Sequence, residues 1–361
     1  MLYHLSYLTA ASLNLHLRNS VSKTPAEPRT FLWIVRTHRR KHRPTYTLMP
    51  SVLTNSPQEA AWWLRAGHLV IFPTETVYGL GCDAMAESAV AKVFEAKGRP
   101  ADNPLIVHLA DRQQIALVAR RVPSVAQQLM EAFFPGPLTV ILPKTDNIPD
   151  AVTGQLDTVA VRIPSLPVAQ EFLRNAKGPV AAPSANLSSR PSTTTWQAAY
   201  EELEPHVGCV LCHDPATTGL ESTVVDCTGP IPRLLRPGAV SLEDLYAVAP
   251  TLSAIGGHPH RSPGMRYRHY APSAAVCIVR HPNECDSAPE TAYIGITPPE
   301  SGASPFGAIQ ICRSLEEYAH RLFAFFRRCE KRGIKRICCE EVSEEGLGRA
   351  IMDRLRRAAT A

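Results

Sequence analysis

Short apolar runs that alternate with helix-like stretches constrain the fold of this chain more than any other feature of its sequence. Between residues 68 and 183 these runs read HLVIF, PLIVHL, LTVIL, TVAVRIP and PVAAP. Apolar runs of this length are typical of buried strands, whereas AESAVAKVFEAKGR, which stops at Gly98 and Pro100, is typical of a helix. The alternation predicts an α/β fold in which helices flank a sheet.

Two capping signals mark helix starts in the first part of the chain. Ser56-Pro57-Gln58-Glu59 has the capping-box pattern with proline at the first helical position, and Gly67 stands where a helix C-terminal glycine is common. This predicts a helix over about residues 57–66. A second short helix is expected to begin at Ser241, so the first domain ends near residue 250.

Composition and length leave room for two domains. The chain has 361 residues, of which 45% are hydrophobic and 20% charged. Residues 253–272 are rich in Gly, Pro, His and Arg without hydrophobic periodicity, which is typical of a linker. Beyond them, AAVCIV, TAYIGI, GAIQIC and RICCE are predicted strands, interleaved with predicted helices at 314–332 and 344–358. We therefore predict an extension at 1–48, a first domain at 49–250, a linker at 251–273 and a smaller α/β domain at 274–361.

The positive charge is concentrated at the N-terminus. The formal net charge is +5, but residues 1–48 hold eight Lys and Arg against Glu27 alone, so residues 49–361 carry about −2. The first 48 residues are either an organelle transit peptide, or disordered or untranslated sequence preceding a start at Met49. We favour the second interpretation, because an ordered pattern begins immediately after Met49.

The sequence gives little support for a membrane protein or a metal-binding protein. No apolar run approaches the roughly 18 residues that a bilayer-spanning helix needs, and no secretion signal is recognisable, so we expect a soluble, cytoplasmic protein. The ten cysteines are dispersed, and we expect them to be reduced thiols. Cys209-Val210-Leu211-Cys212-His213 matches a haem-attachment pattern, but a hydrophobic strand with incidental cysteines explains it better.

Two loops present polar groups beside predicted strands. Lys97-Gly98-Arg99-Pro100 with Asn103 offers two cations and an amide, a set that can bind phosphate or simply form a solvated helix end. Pro183-Ser184-Ala185-Asn186 follows a short strand directly, where open α/β sheets bind ligands, although these residues also favour simple turns.

Three further features lie on or after strands. PTETVYGLG (residues 73–81) has two glycines that permit close backbone approach, but its match to a dinucleotide fingerprint is weak. His108 inside an apolar run is either a hydrogen-bonded core residue or a catalytic one. Arg162 within VAVRIP needs an anionic partner, either a protein carboxylate or a carboxylate ligand.

Taken together and in order, a set of motifs resembles the YrdC-type threonylcarbamoyl-AMP synthases. The motifs are PTETVYGLG, KGR followed by Asn103 and PL, VHL, FPGPLT, VRIP, PSAN, ESTVVD and LRPG. They cover roughly residues 55–245, while SPGMRYRHYAP and the C-terminal region are similar to the longer, two-domain form of the family. The resemblance implies a YrdC-like twisted mixed sheet with flanking helices, then a smaller, Rossmann-like α/β domain.

The resemblance also implies the site residues. It implies an active-site set of Lys97, Arg99, Ser184 and Asn186. It implies L-threonine contacts at Thr76, His108, Arg162, Ala182 (through its backbone) and Ser222, with Arg162 pairing the threonine carboxylate. It implies ATP contacts at Arg99, Asn103, Thr158, Ser184, Ser192, Arg236 and Tyr270. The linker residues Arg266, Tyr267, Arg268 and Tyr270 are expected to lie over the active site as a lid.

The reaction that the resemblance implies joins bicarbonate to the threonine amine, and the carbamate then attacks the α-phosphorus of ATP and expels pyrophosphate. Such a nucleotidyltransferase needs cations and alignment rather than an enzyme nucleophile. Mg²⁺ is expected on the triphosphate, with no dedicated metal ligands in the sequence. The product is expected to pass to a transferase machinery that makes N6-threonylcarbamoyladenosine in tRNA; direct tRNA binding is left open.

Two other functions fit parts of the sequence. One is the carbamoyl-transfer domain of hydrogenase-maturation proteins, but their acylphosphatase-like domain and paired zinc-binding cysteine motifs are missing from this sequence. The other is a non-catalytic RNA-binding module, against which the near-neutral globular part weighs.

Overall fold

The computed structural model of the chain describes residues 51–254, 270–300 and 306–359. The predicted extension at 1–48 and the predicted lid residues Arg266, Tyr267 and Arg268 lie outside the described residues. Within those residues, no helix combines the length and the apolar character needed to cross a bilayer.

Ten strands form the larger sheet. They are β1 (Val52–Thr54), β2 (Val70–Phe72), β3 (Gly79–Asp83), β4 (Ile106–His108), β5 (Leu138–Pro143), β6 (Thr158–Arg162), β7 (Val180–Ala182), β8 (Cys209–Leu211), β9 (Thr223–Asp226) and β10 (Arg233–Arg236). Their order is β1-β8-β2-β3-β7-β4-β6-β5-β9-β10. Because β4 pairs parallel with β6 and antiparallel with β7, the sheet is mixed, as the sequence predicted.

Eight helices flank this sheet in the described residues. They are α1 (Pro57–Arg65), α2 (Glu87–Lys97), α3 (Ile115–Val118), α4 (Ser124–Phe133), α5 (Asp150–Thr153), α6 (Pro167–Ala176), α7 (Trp196–Leu203) and α8 (Leu242–Val248). The two predicted caps form: Ser56 Oγ accepts the N–H of Glu59 at 3.2 Å, and Ser241 and Asp244 make a reciprocal capping box.

The two faces of the sheet are covered differently. Along β6, Val159 and Val161 point into a core shared with α2, α4, α7 and α8, whereas Thr158, Ala160 and Arg162 point to the other face. That second face is covered at one end by α1 and α6, which pack on β2, β7 and β8. Over β4, β5, β6, β9 and β10 a small apolar cluster faces the same way: Ile106, Ile141, Ala160, Val224 and Leu235. We call this cluster the sheet floor.

A second, smaller domain follows. Its strands are β11 (Ala275–Val279), β12 (Thr291–Gly295), β13 (Ala308–Ile311) and β14 (Arg336–Glu340), and its helices are α9 (Leu315–Lys331) and α10 (Gly348–Ala359). The strands pair in parallel in the order β11-β14-β12-β13. The predicted fold class, a mixed α/β sheet domain followed by a smaller α/β domain, is confirmed. The last helix begins at Gly348, later than predicted, because Gly346 has a left-handed φ of +53° that interrupts the helix.

One cysteine expectation is wrong. Cys285 and Cys338 form a disulfide, because β14 places Cys338 6.4 Å (Cα to Cα) from Cys285, within the reach of a disulfide. The other eight cysteines are free thiols, as expected. Cys209 lies in the buried strand β8, so the haem-like pattern is a core strand.

The second domain packs on helix α7, the loop before it and one further loop of the first domain. Arg327 of α9 forms an ion pair with Glu202 at 2.7 Å and donates to the carbonyl of Ser192, while Arg190 forms an ion pair with Glu330 at 3.1 Å. The other loop approaches α9 closely at Gly219 (φ +81°), where a Cβ atom would lie 2.5 Å from the Cα of His320.

Candidate active site

A cleft of about 560 Å³, counting its open mouth, lies over the half of the sheet that α1 and α6 leave uncovered. Ile106 belongs both to its lining and to the sheet floor. The lining comes from the loop after β2, the loop after α2, β4, β6, the loop after β7, the residues before β9, the end of β10 and Tyr270. A ligand in the cleft is therefore held by loops at the rim of one rigid sheet.

Arg162 at the end of β6 forms a buried ion pair. Its Nη2 lies 2.7 Å from Oε1 of Glu75, its Nη1 donates to Thr76 Oγ1 at 2.7 Å, and its Nε donates to the carbonyl of Gly136 at 3.2 Å. Of the two partners that the sequence left open, the protein carboxylate is present in this structure. Thr76 and Arg162 both line the cleft, so they can also meet a ligand carboxylate there.

His108 lies beside Arg162 on the neighbouring strand, where the two residues pair in register. Burial, together with the charge of Arg162, lowers the pKa of His108 to about 3. Its ring packs edge-on against Phe72, and its Nδ1 has no hydrogen-bond partner among the described residues. His108 is therefore neutral at physiological pH, with an unused polar atom at the cleft.

Ser222 and Arg236 form a second polar group, contributed by the residue before β9 and the end of β10. Arg236 donates to the carbonyl of Ser222 through Nε at 3.0 Å and to its hydroxyl through Nη2 at 3.1 Å. The same hydroxyl lies 2.7 Å from Thr139 Oγ1. This network holds the Arg236 guanidinium at the cleft.

The loop after α2 places two cations differently. Gly98 takes a left-handed φ of +57° and turns the chain at the helix end. Arg99 lines the cleft and donates to the carbonyls of Asn103 and Pro104 at 3.3 and 3.0 Å; burial lowers its pKa to about 10, so it stays charged at neutral pH. Lys97 instead points behind the cleft wall, where its Nζ donates to the carbonyls of Ser184 and Asn186.

Lys97 therefore supports the Ser184 loop from behind. Burial, followed by the charge of Arg99, lowers the pKa of Lys97 well below its usual range. Asn186 is fully buried and donates to the carbonyls of Leu187 and Arg190 at 2.7 and 3.0 Å. Only Ser184 of this loop, among the predicted active-site residues, lines the cleft.

Glu221 and Tyr270 close the side of the cleft that faces the second domain. Ser192 Oγ donates to Oε1 of Glu221, and Arg354 of α10 approaches Oε2 at 2.8 Å. The ring of Tyr270 stacks on Phe323 of α9 with 5.4 Å between centroids. One wall of the cleft is thus held in place by the C-terminal domain.

Comparisons with known proteins agree with this architecture. Residues 63–238 match the Sua5, YciO and YrdC family model, described as telomere recombination, and residues 240–360 match the model described as threonylcarbamoyl-AMP synthase, C-terminal domain. The chain is similar to the threonylcarbamoyl-AMP synthase of Pyrococcus abyssi, with 41% identity over 83% of this chain and 93% of the relative. The corresponding protein of Bacillus subtilis is 39% identical, over 85% and 94%.

This chain belongs to the threonylcarbamoyl-AMP synthase family. The solved structure of Pyrococcus abyssi Sua5 complexed with L-threonine has a TM-score of 0.78 to it at 38% identity, covering 86% of this chain and 97% of that one. The family assignment that the sequence motifs suggested is confirmed.

The structure brings together nine of the residues that family resemblance predicted for the site. Those that line the cleft are Thr76, Arg99, His108, Arg162, Ala182, Ser184, Ser222, Arg236 and Tyr270. Five others do not line it: Lys97, Asn103, Thr158, Asn186 and Ser192. Thr158 lies at the opposite end of β6 from Arg162, and borders a separate depression with Arg120 and Arg121.

Three charged residues of this family member were missed by sequence reasoning: Glu75, Glu221 and Arg354. Glu75 and Glu221 lie inside motifs that the sequence analysis singled out, so an acidic residue within an apolar, glycine-containing motif was the available signal. Arg354 lies on the charged C-terminal helix among Asp353, Arg356 and Arg357, where nothing distinguishes it from solvent-facing arginines.

A resident metal ion would find few ligands among the described residues of the cleft. In the described residues no group of three or more His, Cys, Asp or Glu side chains could hold an ion. Glu221 is an acidic residue of the lining, but its two oxygens are occupied by Ser192 and Arg354. The protein residues described here therefore do not fit a resident Mg²⁺ ion.

Proposed function

We propose that the chain joins L-threonine, bicarbonate and ATP to make threonylcarbamoyl-AMP and pyrophosphate, the first step toward N6-threonylcarbamoyladenosine in tRNA. Relatives that it matches over more than nine-tenths of their length carry the name threonylcarbamoyl-AMP synthase. The observation that carries the proposal is the cleft itself, whose lining brings together the guanidiniums of Arg162, Arg99 and Arg236.

The threonine end is proposed at Arg162, Thr76 and His108. The Arg162 guanidinium suits a carboxylate because it presents parallel donors, two of which already meet Glu75 and Thr76. His108 is neutral, so its Nδ1 can accept or donate one hydrogen bond to the substrate without adding a charge. Ala182 offers its backbone, and Ser222 its hydroxyl, to the same ligand.

The nucleotide end is proposed at Arg99, Arg236 and Tyr270, with Ser184 between the two ends. In the proposed step the threonine amine and bicarbonate give a carbamate and water. A carbamate oxygen then forms a bond to the α-phosphorus of ATP as the bond to pyrophosphate breaks. Two fixed guanidiniums stabilise the charge that develops on the phosphate oxygens, and binding both substrates on one rigid face aligns them.

Lys97 and Asn186 are proposed to act indirectly. Lys97 donates to the carbonyls of Ser184 and Asn186, so we propose that it supports the loop that carries Ser184 instead of binding phosphate, the role that the resemblance implied. Asn103, Thr158 and Ser192 stay predictions as ATP contacts. Mg²⁺ is proposed to enter with the nucleotide, bound by phosphate and water, and the roles proposed for the protein residues do not depend on it.

The test is pyrophosphate release from ATP by the full chain, with L-threonine and bicarbonate each omitted in turn and with L-serine replacing L-threonine. We expect release to require both substrates and to fall with serine. Release that is indifferent to threonine would contradict the proposal. Transfer to tRNA by a partner enzyme and the cytoplasmic location are further predictions, checked by adding the transferase machinery and by cell fractionation.

A further inference from the structure

The last helix of the chain places a fully buried arginine against the cleft wall. Arg354 of α10 is 0% exposed, and its Nε lies 2.8 Å from Oε2 of Glu221, a residue 133 positions away. Its Nη1 lies 2.5 Å from a carboxylate oxygen of Asp353. A buried guanidinium is unfavourable unless it is paired, so this arrangement fixes the contact between α10 and Glu221.

Glu221 presents this contact to the cleft. It lines the cleft and accepts a hydrogen bond from Ser192 through its other oxygen. Burial alone would raise the pKa of Glu221, but the charges of Arg354 and then Arg236 hold it below its ordinary value, so the carboxylate stays ionised. Arg354 is thus one of two cations that balance a negative charge in the wall.

Tyr270 is the second cleft residue that Arg354 contacts. The Arg354 guanidinium carbon lies 5.0 Å from the centre of the Tyr270 ring, which also stacks on Phe323. Tyr270 has a left-handed φ of +68°, unfavourable for a bulky residue. The surrounding contacts from α9 and α10 therefore fix a conformation that the linker would rarely adopt by itself.

We propose that Arg354 is a positioning residue of the active site, through which the C-terminal domain holds Glu221 and Tyr270 in the cleft wall. Arg354 pairs with Glu221 and so lowers the negative charge that this wall presents to the ligand. Without Arg354, Arg236 is the remaining cation acting on Glu221, and a buried negative charge faces the nucleotide phosphates. The proposal deepens the proposed function and uses ATP as its ligand.

The test compares ATP affinity and turnover of the full chain with those of Arg354→Gln. We expect the Kd for ATP, by calorimetry without other substrates, and the KM for ATP to rise roughly tenfold or more. The KM for L-threonine should change less than about twofold, because Arg162 is untouched. If Arg354 had only a structural role, Arg354→Gln would lower the amount of folded enzyme, but the KM for ATP would not rise more than the KM for L-threonine.

Two matched variants remove a positive charge elsewhere. Arg356 lies on the same helix as Arg354 and pairs with the exposed Glu344, and Arg356→Gln removes that pair. Lys331→Gln removes an ion pair with Glu201 that joins the domains away from the cleft. Both should keep the wild-type Kd for ATP. A similar loss in either variant would show that any charge change in this domain weakens ATP binding, and would overturn the proposal.

Glu221→Gln tests whether Arg354 acts through Glu221. If it does, Arg354→Gln weakens ATP binding much less in the Glu221→Gln background, because the uncompensated carboxylate is gone. Equal effects in both backgrounds, or none in either, would overturn the proposal. In the double variant no carboxylate is left buried without its cation, so folding is less at risk than in Arg354→Gln alone. Arg354→Lys keeps the positive charge and should bind ATP with an affinity between those of the wild type and Arg354→Gln.

The outcomes separate this inference from the proposed function. Wild-type protein that binds ATP but releases no pyrophosphate with threonine and bicarbonate would contradict the proposed reaction, while the Kd comparison would still test Arg354. Normal wild-type turnover, together with wild-type ATP affinity in folded Arg354→Gln, would contradict the inference alone.

Discussion

Arg162 links folding stability to the threonine binding proposed above through a single buried charge. Its ion pair with Glu75 is 2.7 Å long, and both side chains are nearly inaccessible. Because each charge is stabilised by the other, the two residues must be changed together to separate packing from ligand binding.

We expect Arg162→Met to lower the free energy of unfolding by about 3–5 kcal/mol, since it leaves Glu75 buried without its cation. Glu75→Gln combined with Arg162→Met should recover a large part of that loss, yet still use threonine poorly. Urea denaturation and the KM for threonine measure the two effects. Equal instability of the single and double variants would show that Glu75 is not the residue left unpaired.

His108 predicts a pH dependence of stability. Its folded pKa of about 3 lies below the unfolded value of about 6.5, so the unfolded state binds an extra proton as the pH falls. The stabilising contribution is complete above pH 6.5 and declines by about 1.4 kcal/mol per pH unit toward pH 3. Unfolding free energies at pH 7, 6, 5 and 4 should fall more steeply for wild type than for His108→Gln. Parallel curves would mean that the pKa of His108 is not lowered by folding.

At the scale of elements, the approach of the 217–222 loop to α9 depends on one glycine. Gly219 and Gly67 have nearly equal left-handed φ angles, +81° and +83°, but only Gly219 has backbone atoms of α9 where a Cβ would lie. The N–H of Gly219 also donates to the carbonyl of Thr76 at 3.1 Å, so this loop connects the proposed threonine end of the cleft with the second domain.

Gly67→Ala should therefore cost only the left-handed backbone strain, about 1–2 kcal/mol. Gly219→Ala should cost that amount plus about 1–3 kcal/mol for overpacking against α9, and should also reduce ATP turnover because Glu221 is two residues away. Thermal denaturation and pyrophosphate release compare the two variants. Equal losses of stability would indicate that the second domain moves aside without resistance.

The disulfide joins the segment between β11 and β12 to strand β14, across 53 residues. We expect Cys285→Ser to lower stability by about 4 kcal/mol in oxidising buffer, from the loop-closure entropy of a loop of this length. Cys277→Ser, on the neighbouring strand β11, should be nearly neutral. Reduction with dithiothreitol should remove the difference between Cys285→Ser and wild type; a difference that survives reduction would have its origin in packing.

For the whole molecule, the sequence predicted correctly those structural features that depend on residues close together in the chain. The caps at Ser56 and Ser241, the strand at Cys209 and the α/β class follow from neighbouring residues, whereas the mixed sheet was implied by the family resemblance. Three contacts could not be predicted in this way: Arg162 with Thr76, Glu221 with Arg354 and Lys97 with Ser184. These partners lie 86 to 133 residues apart, and their contacts depend on strand order and domain packing. Lys97 is the instructive case: its spacing from Arg99 suggested two cations at phosphate, whereas the turn at Gly98 sends them to different places.

Removing the second domain is expected to abolish turnover. A chain that ends after residue 254 lacks Tyr270 and Arg354 and exposes Leu220, which packs in the core of the second domain. We expect no threonine-dependent pyrophosphate release and increased aggregation, measured by turnover and light scattering. Full activity of a soluble residue 49–254 fragment would show that the first domain is catalytically complete.

The sheet floor has a consequence for how such a protein can acquire new preferences. Ile106 lines the cleft and packs in one cluster with Ala160 and Leu235, and the three are 5–9% exposed, so this part of the cleft surface is also part of the packed interior. A substitution there would alter the shape of the cleft and the folding stability at the same time, which leaves little freedom for evolution or engineering. The rim loops can change at lower cost to stability, because they connect strands whose other face is packed independently. Divergence of substrate choice among proteins built this way is therefore expected in the loops, with the floor held nearly constant.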